Sequence, residues 1–157
     1  DRWLTQDETF ELGGIRFSLH HIGPGHAPED LALLVEADGV LFAGDTVYAA
    51  RVPFIGEADT ALWLKAIERL LEIPAQVLVP GHGPASREPQ RDLRLTYDYL
   101  SFLRTAMRAA VENFLPFDEA YASIDWRLFA ALPTFDVANR GNAYNVYLQM
   151  EAATLGQ

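Results

Sequence analysis

Hydrophobic and polar positions change period several times along the chain, and each change marks an element. Ile15, Phe17 and Leu19 alternate with Arg16, Ser18 and His20, the period of two that a half-buried strand imposes, so residues 15–22 read as a strand. The mixed residues 1–14 before it close on the turn signal Gly13-Gly14. Residues 31–37 form a nearly continuous apolar run, expected of a strand buried on both faces. Asp38-Gly39 is a hairpin turn that folds residues 40–43 back as the next strand. A loop over 46–58 leads to Asp59, a plausible N-cap, and then to Leu62, Trp63, Ala66, Ile67, Leu70 and Leu71 at helical spacing. Pro74 ends that helix, and residues 77–79 read as a short buried strand. Pro89 opens a second helix, which runs to about Phe114 and is stopped by Pro116. Leu93, Tyr97, Leu100, Leu103, Met107, Ala110 and Phe114 fall on one face of it. A last helix is expected over about residues 142–153. No internal repeat or domain boundary stands out, so residues 1–157 read as one domain. Three strands, a helix, a strand and further helices indicate a layered α/β or α+β domain.

Composition narrows the function classes. Half of the 157 residues are hydrophobic, enough for one domain with a real core. Acidic residues outnumber basic ones 22 to 12, a formal net charge of −10, which argues against nucleic acid and anionic membrane as principal partners. There is no cysteine, so thiolate ligands and disulfides are excluded and any metal must be held by nitrogen and oxygen. No apolar stretch reaches the roughly 18–20 residues of a membrane span. The opening Asp1-Arg2-Trp3 carries neither an initiator Met nor a signal-peptide core, so a segment upstream is expected to have been removed.

Three polar motifs each end an apolar run: Gly25-His26-Ala27-Pro28-Glu29-Asp30, Phe42-Ala43-Gly44-Asp45-Thr46 and Val79-Pro80-Gly81-His82-Gly83. Each sets a metal-ligating imidazole or carboxylate beside glycine at a strand end, where the backbone fixes its position. Singly, His26 reads as a loop histidine that packs on its neighbours, Asp45 as an Asx-turn or cap, and His82 as part of an ordinary turn. Together they suggest a metal site on one rim of a sheet, with donors that suit zinc and also iron or manganese. Asp30 reads equally as a carboxylate that orients the His26 ring and as a solvated loop residue. His20 is expected at the surface and His21 facing the core or an edge. No serine sits in a Gly-x-Ser-x-Gly elbow, and there is neither a P-loop nor a Gly-x-Gly-x-x-Gly turn. Arg87, Arg91, Arg94, Arg104 and Arg108, interspersed with Glu88, Asp92 and Asp98, read as a solvated helix face.

In order and spacing, the motifs around His26, Asp45 and His82 resemble the later metal-ligand motifs of the metallo-β-lactamase superfamily. The Gly44-Asp45-Thr46 segment is more similar to the glyoxalase II branch, and the Arg51–Gly56 stretch and Asn145-Val146-Tyr147-Leu148 to a quinoprotein-associated branch. The resemblance implies half of a four-layer αββα sandwich, namely its C-terminal half, with added helices. It implies that His26 completes a first metal site, Asp45 bridges two zinc ions and His82 belongs to the second, with Asp30 behind them. The implied function is hydrolysis of a small-molecule ester, thioester or amide by metal-activated water; the catalytic residues themselves stay unassigned. The family's His-x-His-x-Asp-His motif is absent from this chain. The expected partner is therefore a missing N-terminal half or a homodimer mate across the sheet face. That absence also motivates the alternative, a non-catalytic binding or scaffold domain of the same fold. The branch resemblance leans towards the bacterial periplasm over the cytoplasm.

Overall fold

The computed structural model describes residues 6–155. The opening Asp1-Arg2-Trp3 lies outside that range. Strands β1 (Glu8–Leu12), β2 (Ile15–Gly23), β3 (Asp30–Val35) and β4 (Val40–Tyr48) make an antiparallel meander. Helix α1 (Thr60–Leu71) then crosses over the sheet, and β5 (Val77–His82) returns parallel to β4. The strand order is β1-β2-β3-β4-β5. Three helices follow, α2 (Pro89–Glu112), α3 (Phe117–Ser123) and α4 (Phe135–Leu155). This mixed sheet with C-terminal helices is the α/β arrangement that the pattern predicts.

The core lies on one face of the sheet. Ala32, Leu34, Leu41, Ala43 and Leu78 are buried and join one cluster with Trp63, Ala66, Ile67 and Leu70 of α1 and Leu93, Leu100 and Leu103 of α2. Helix α1 starts where Asp59 Oδ1 accepts the amides of Ala61 and Leu62, which satisfies two N–H groups the first turn leaves open. Helix α4 packs on α2. Its Asn142 accepts the Ile55 amide and donates to the Pro53 carbonyl, and so ties the β4–α1 loop to the helices.

Among the described residues, no helix packs on the opposite face of the sheet. Phe17, Val35, Val40 and Val77 align in register, as do Leu19, Leu33, Phe42 and Val79. Phe42 is 44% exposed and Leu31 41%. Residues 31–37 are thus not a strand buried on both faces. Its inward side is Ala32 and Leu34, and Leu31 faces away from the helices.

Other expectations change with the structure. Residues 8–12 form a strand because Gly13 and Gly14, both at positive φ, close a hairpin that pairs Phe10 with Phe17. The last helix begins at Phe135, seven residues earlier than expected, and α3 had no apolar period long enough to mark it. Phe114 lies beyond the C-cap Asn113 and is 93% exposed, so it leaves the buried face of α2. His20 pairs across the sheet with buried Ala32, while His21 pairs with Leu31 on the open side and meets Glu29 at 2.8 Å. The two histidines have therefore exchanged the sides expected of them.

Trp63 is the test of the packing. It is fully buried, and its indole N–H donates to the Thr46 carbonyl at 2.9 Å. Trp63→Ala is expected to destabilise the chain by about 3–5 kcal/mol, since it opens a cavity and strands a carbonyl. Urea unfolding followed by circular dichroism measures this.

Candidate functional site

The parallel pairing of β4 and β5 builds the site. Its register aligns Gly44 with Pro80 and Tyr48 with His82, with irregularities between these pairs. Gly44 sits at φ +54°, a conformation that suits glycine and breaks the alternation of β4 just before Asp45. Asp45 therefore lies within β4 and not beyond its end. A Cβ on Gly81 would collide with Asp45 Oδ1 and stand 2.7 Å from the Gly44 carbonyl carbon, so glycine is required for β5 to approach this closely.

Around Tyr48 the three candidate ligands stand in sequence. His82 stacks on the Tyr48 ring at 4.7 Å between centroids, and its Nε2 is 3.6 Å from Asp45 Oδ1. On the other side, Tyr48 Oη and His26 Nε2 are 3.4 Å apart, and His26 meets the edge of Trp63 at 5.2 Å. Tyr48 thus stands between His26 and the Asp45–His82 pair. Asp30 Oδ2 accepts the Ala27 amide at 3.1 Å, so this carboxylate shapes the loop that carries His26 and makes no hydrogen bond to its ring.

Tyr48 itself was not singled out from the sequence. It is 2% exposed, and its backbone is clamped by Thr96 Oγ1, which accepts its N–H and donates to its C=O. Burial, followed by the Asp45 charge, pushes the phenol pKa up to about 12, with Arg51 pulling the other way. The available signal was Tyr48's position three residues past Asp45 in an apolar run. Arg51 was missed as well, and its buried Nε has no hydrogen-bond partner. Beside His26 opens a cleft of about 440 Å³, lined also by Pro24, Pro28, Ile55, Glu57 and Asp59.

Among the described residues no group of three or more His, Asp or Glu side chains is placed to hold an ion. Asp45 and His82 are a pair of donors, and the Tyr48 hydroxyl faces His26. The expected dinuclear zinc site, and with it the expected hydrolysis by metal-activated water, is therefore corrected for this chain: the donor count is too low.

Three consequences can be measured. Below about pH 10 both folded and unfolded chains hold the Tyr48 proton; between about 10 and 12 the unfolded chain releases it first, so stability falls as pH rises through that window. Asp45→Asn should lower the Tyr48 pKa, read as the tyrosinate absorbance lost on Tyr48→Phe. Gly81→Ala should force the Asp45 carboxylate away from His82, seen as changed His82 ring resonances in NMR.

The comparisons with known proteins agree with the fold. The Metallo-beta-lactamase superfamily profile matches residues 1–82, from the start of the chain through β5. A type 2 metallo-beta-lactamase of Bacteroides fragilis is 29% identical over 85 residues, which are 51% of this chain and 34% of that protein. A beta-lactamase-like protein 2 homolog of Drosophila melanogaster is 29% identical over 86 residues, 55% of this chain and 28% of the relative. The matches thus span about a third of the curated relatives' length. A metallo-beta-lactamase from Pontibacter korlensis superposes with a TM-score of 0.57 at 30% identity, covering 62% of this chain and 47% of that one. A metallo-beta-lactamase family protein of Thermus thermophilus, at 24% identity, shares the fold over 96% of this chain and 49% of its own, with a TM-score of 0.64.

The position of the family match corrects a further expectation. It falls on the N-terminal half of this chain and leaves the helices after residue 82 outside it. The chain is therefore not assigned as the family's C-terminal half, and a missing N-terminal half or a mate across the sheet face is no longer implied as partner. No described helix is long and apolar enough to cross a membrane. Through its matched strands and crossover helix, the chain belongs to the metallo-beta-lactamase superfamily.

Proposed function

We propose that this chain is a non-catalytic binding or scaffold domain with the metallo-beta-lactamase fold. One observation carries the reading: His26, Asp45 and His82 surround Tyr48, yet no three metal-ligating side chains among the described residues converge on one point. A zinc ion at the Asp45–His82 pair would find two protein donors, where a catalytic zinc site ordinarily offers three and a structural site four. Zinc-dependent hydrolysis is accordingly not assigned to it.

What the fold retains is a shaped polar cleft. The ring of His26 is held between Trp63 and Tyr48, and the cleft beside it combines apolar walls with the carboxylates of Glu57 and Asp59. An imidazole held this way can give or take a hydrogen bond according to its tautomer, and apolar walls with a few polar groups are the usual make-up of a small-molecule site. Its role in this reading is to orient a bound ligand, and Tyr48 keeps its proton at neutral pH and supports the ring.

The test is metal analysis of the purified full chain. After dialysis against zinc-containing and then zinc-free buffer, the chain is expected to retain well under one zinc per molecule and to show no ester, thioester or β-lactam hydrolysis above buffer. Stoichiometric zinc that survives dialysis, together with turnover abolished by Asp45→Asn or His82→Ala, would overturn the reading.

A further inference from the structure

Far along α2 from Tyr48 lies a second cleft that none of the preceding chemistry uses. It runs between the C-terminal parts of α2 and α4 and has two connected ends. One end, of about 480 Å³, is lined by Arg104, Arg108, Val111, Glu112 and Met150, together with Thr154. The other, of about 380 Å³, shares Val111 and Thr154 and continues past Phe114, Pro116 and Tyr147, with Glu151 at its wall. The first end sets two arginines against one carboxylate, Glu112, and the second is apolar along Val111, Phe114 and Pro116, with Glu151 and Thr154 as its polar groups.

Neither arginine is in ion-pair contact with a described carboxylate, although the Asp59 charge acts on Arg104. The two stand one helical turn apart on the same side of α2, where like charges repel. Arg104 is half-buried, and its guanidinium donates to Thr60 Oγ1, a neutral partner, at 2.8 Å. Burial and then the Arg108 charge push the Arg104 pKa below its ordinary value. Arg108 makes no ion pair and no hydrogen bond to any described residue. Glu112 lines the same end without coming within ion-pair reach of either arginine. In a chain of net charge −10, two guanidiniums one turn apart with no carboxylate in ion-pair contact set a positive spot, which the more distant Asp59 charge on Arg104 only partly offsets. They do not belong to the evenly solvated helix face that the sequence suggests.

At the apolar end, Phe114 takes φ +55°, a conformation that non-glycine residues seldom adopt, and its ring is held out in solvent beside Pro116. An exposed aromatic ring at the mouth of an apolar cleft offers area to an alkyl chain at small entropic loss.

We propose that this cleft binds an anionic amphiphile: an oxyanion head, carboxylate or phosphate, between Arg104 and Arg108, and a short unbranched alkyl chain along Val111 towards Phe114 and Pro116. The planar guanidinium fork matches the two oxygens of such a head. Two connected ends of opposite character call for a ligand with two such ends, which neither a free inorganic anion nor a neutral alcohol has. The site is separate from the His26 cleft, so the proposal stands or falls independently of the binding role assigned there.

Calorimetric titration of the full chain with octanoate, octyl phosphate, octanol, acetate and inorganic phosphate tests it. Saturable binding of octanoate or octyl phosphate is expected, with amide shifts in NMR at Arg108, Val111 and Phe114; the tighter of the two identifies the head. Arg108→Gln lies on the surface and should keep the unfolding midpoint while weakening that binding about tenfold or more, the usual worth of a charge-assisted hydrogen bond. Val111→Trp should fill the junction and reduce octanoate binding to the level of acetate. Octanol binding as tightly as octanoate, inorganic phosphate or acetate binding as tightly as the alkyl ligands, or an Arg108→Gln variant with unchanged affinity would each overturn the proposal.

Discussion

The parallel pairing of β4 with β5 is the constraint on which the rest of the molecule depends. A parallel neighbour cannot be reached by a tight turn, so the chain must leave β4, cross the sheet as α1 and return. That crossover buries Trp63, Ile67 and Leu70 against β4 and thereby makes the core. It also sets Tyr48 beside His82 in register, which brings residues 34 positions apart to one rim. The hydrogen bond from the Trp63 indole to the Thr46 carbonyl joins the crossover helix directly to the segment between Asp45 and Tyr48. Packing and site are consequently one construction.

Much of this was legible in the chain. The alternation at Ile15, Phe17 and Leu19, the Asp38-Gly39 turn, the Asp59 cap and the stripe Trp63, Ala66, Ile67, Leu70 all act over a few residues, and all have their expected structural counterparts. What stayed hidden depends on neighbours distant in sequence. Whether Leu31 is buried is decided by whether anything covers the outer face of β3, and local composition is silent on that. The sides taken by His20 and His21 depend on the register of β2 with β3, where a single-residue offset reverses every side chain. Helix α4 carries little apolar periodicity because it is tied down by polar anchors. Asn139 and Asn142 bond Tyr99, Tyr121 and the Pro53 carbonyl, and Gln149 bonds Thr60 and the Ala58 carbonyl.

The site was legible in part for the same reason. Residue types and glycine spacing identify His26, Asp45 and His82 as groups worth attention, but a ligand set is a statement about convergence. Convergence here is governed by Tyr48, whose ring occupies the space between His26 and the other two. Its burial is in turn a product of the helices, since Thr96 of α2 clamps its backbone and Trp63 of α1 packs near its ring. A motif reading weighs the three polar residues and passes over the aromatic residue that separates them.

A fold shared over nearly the whole chain with a relative at 24% identity, and a donor set that does not close, are compatible observations, because fold and chemistry answer to different forces. The sheet and its crossover are held by the apolar side chains of β4, β5 and α1, none of which is a metal ligand. Loss or rearrangement of donors at the rim therefore leaves the core untouched, and polar side chains freed from one task remain on a rigid support. At the β4–β5 rim, His82 lies 3.6 Å from Asp45 and His26 lies 3.4 Å from the Tyr48 hydroxyl, so each imidazole faces a polar group of the fold. In the α2–α4 cleft, the Arg108 guanidinium meets no described partner, and Arg104 is bound by a neutral hydroxyl. Attraction for an outside anion grows where like charges adjoin without a carboxylate in contact, and Arg104 and Arg108, one turn apart on α2, meet that condition.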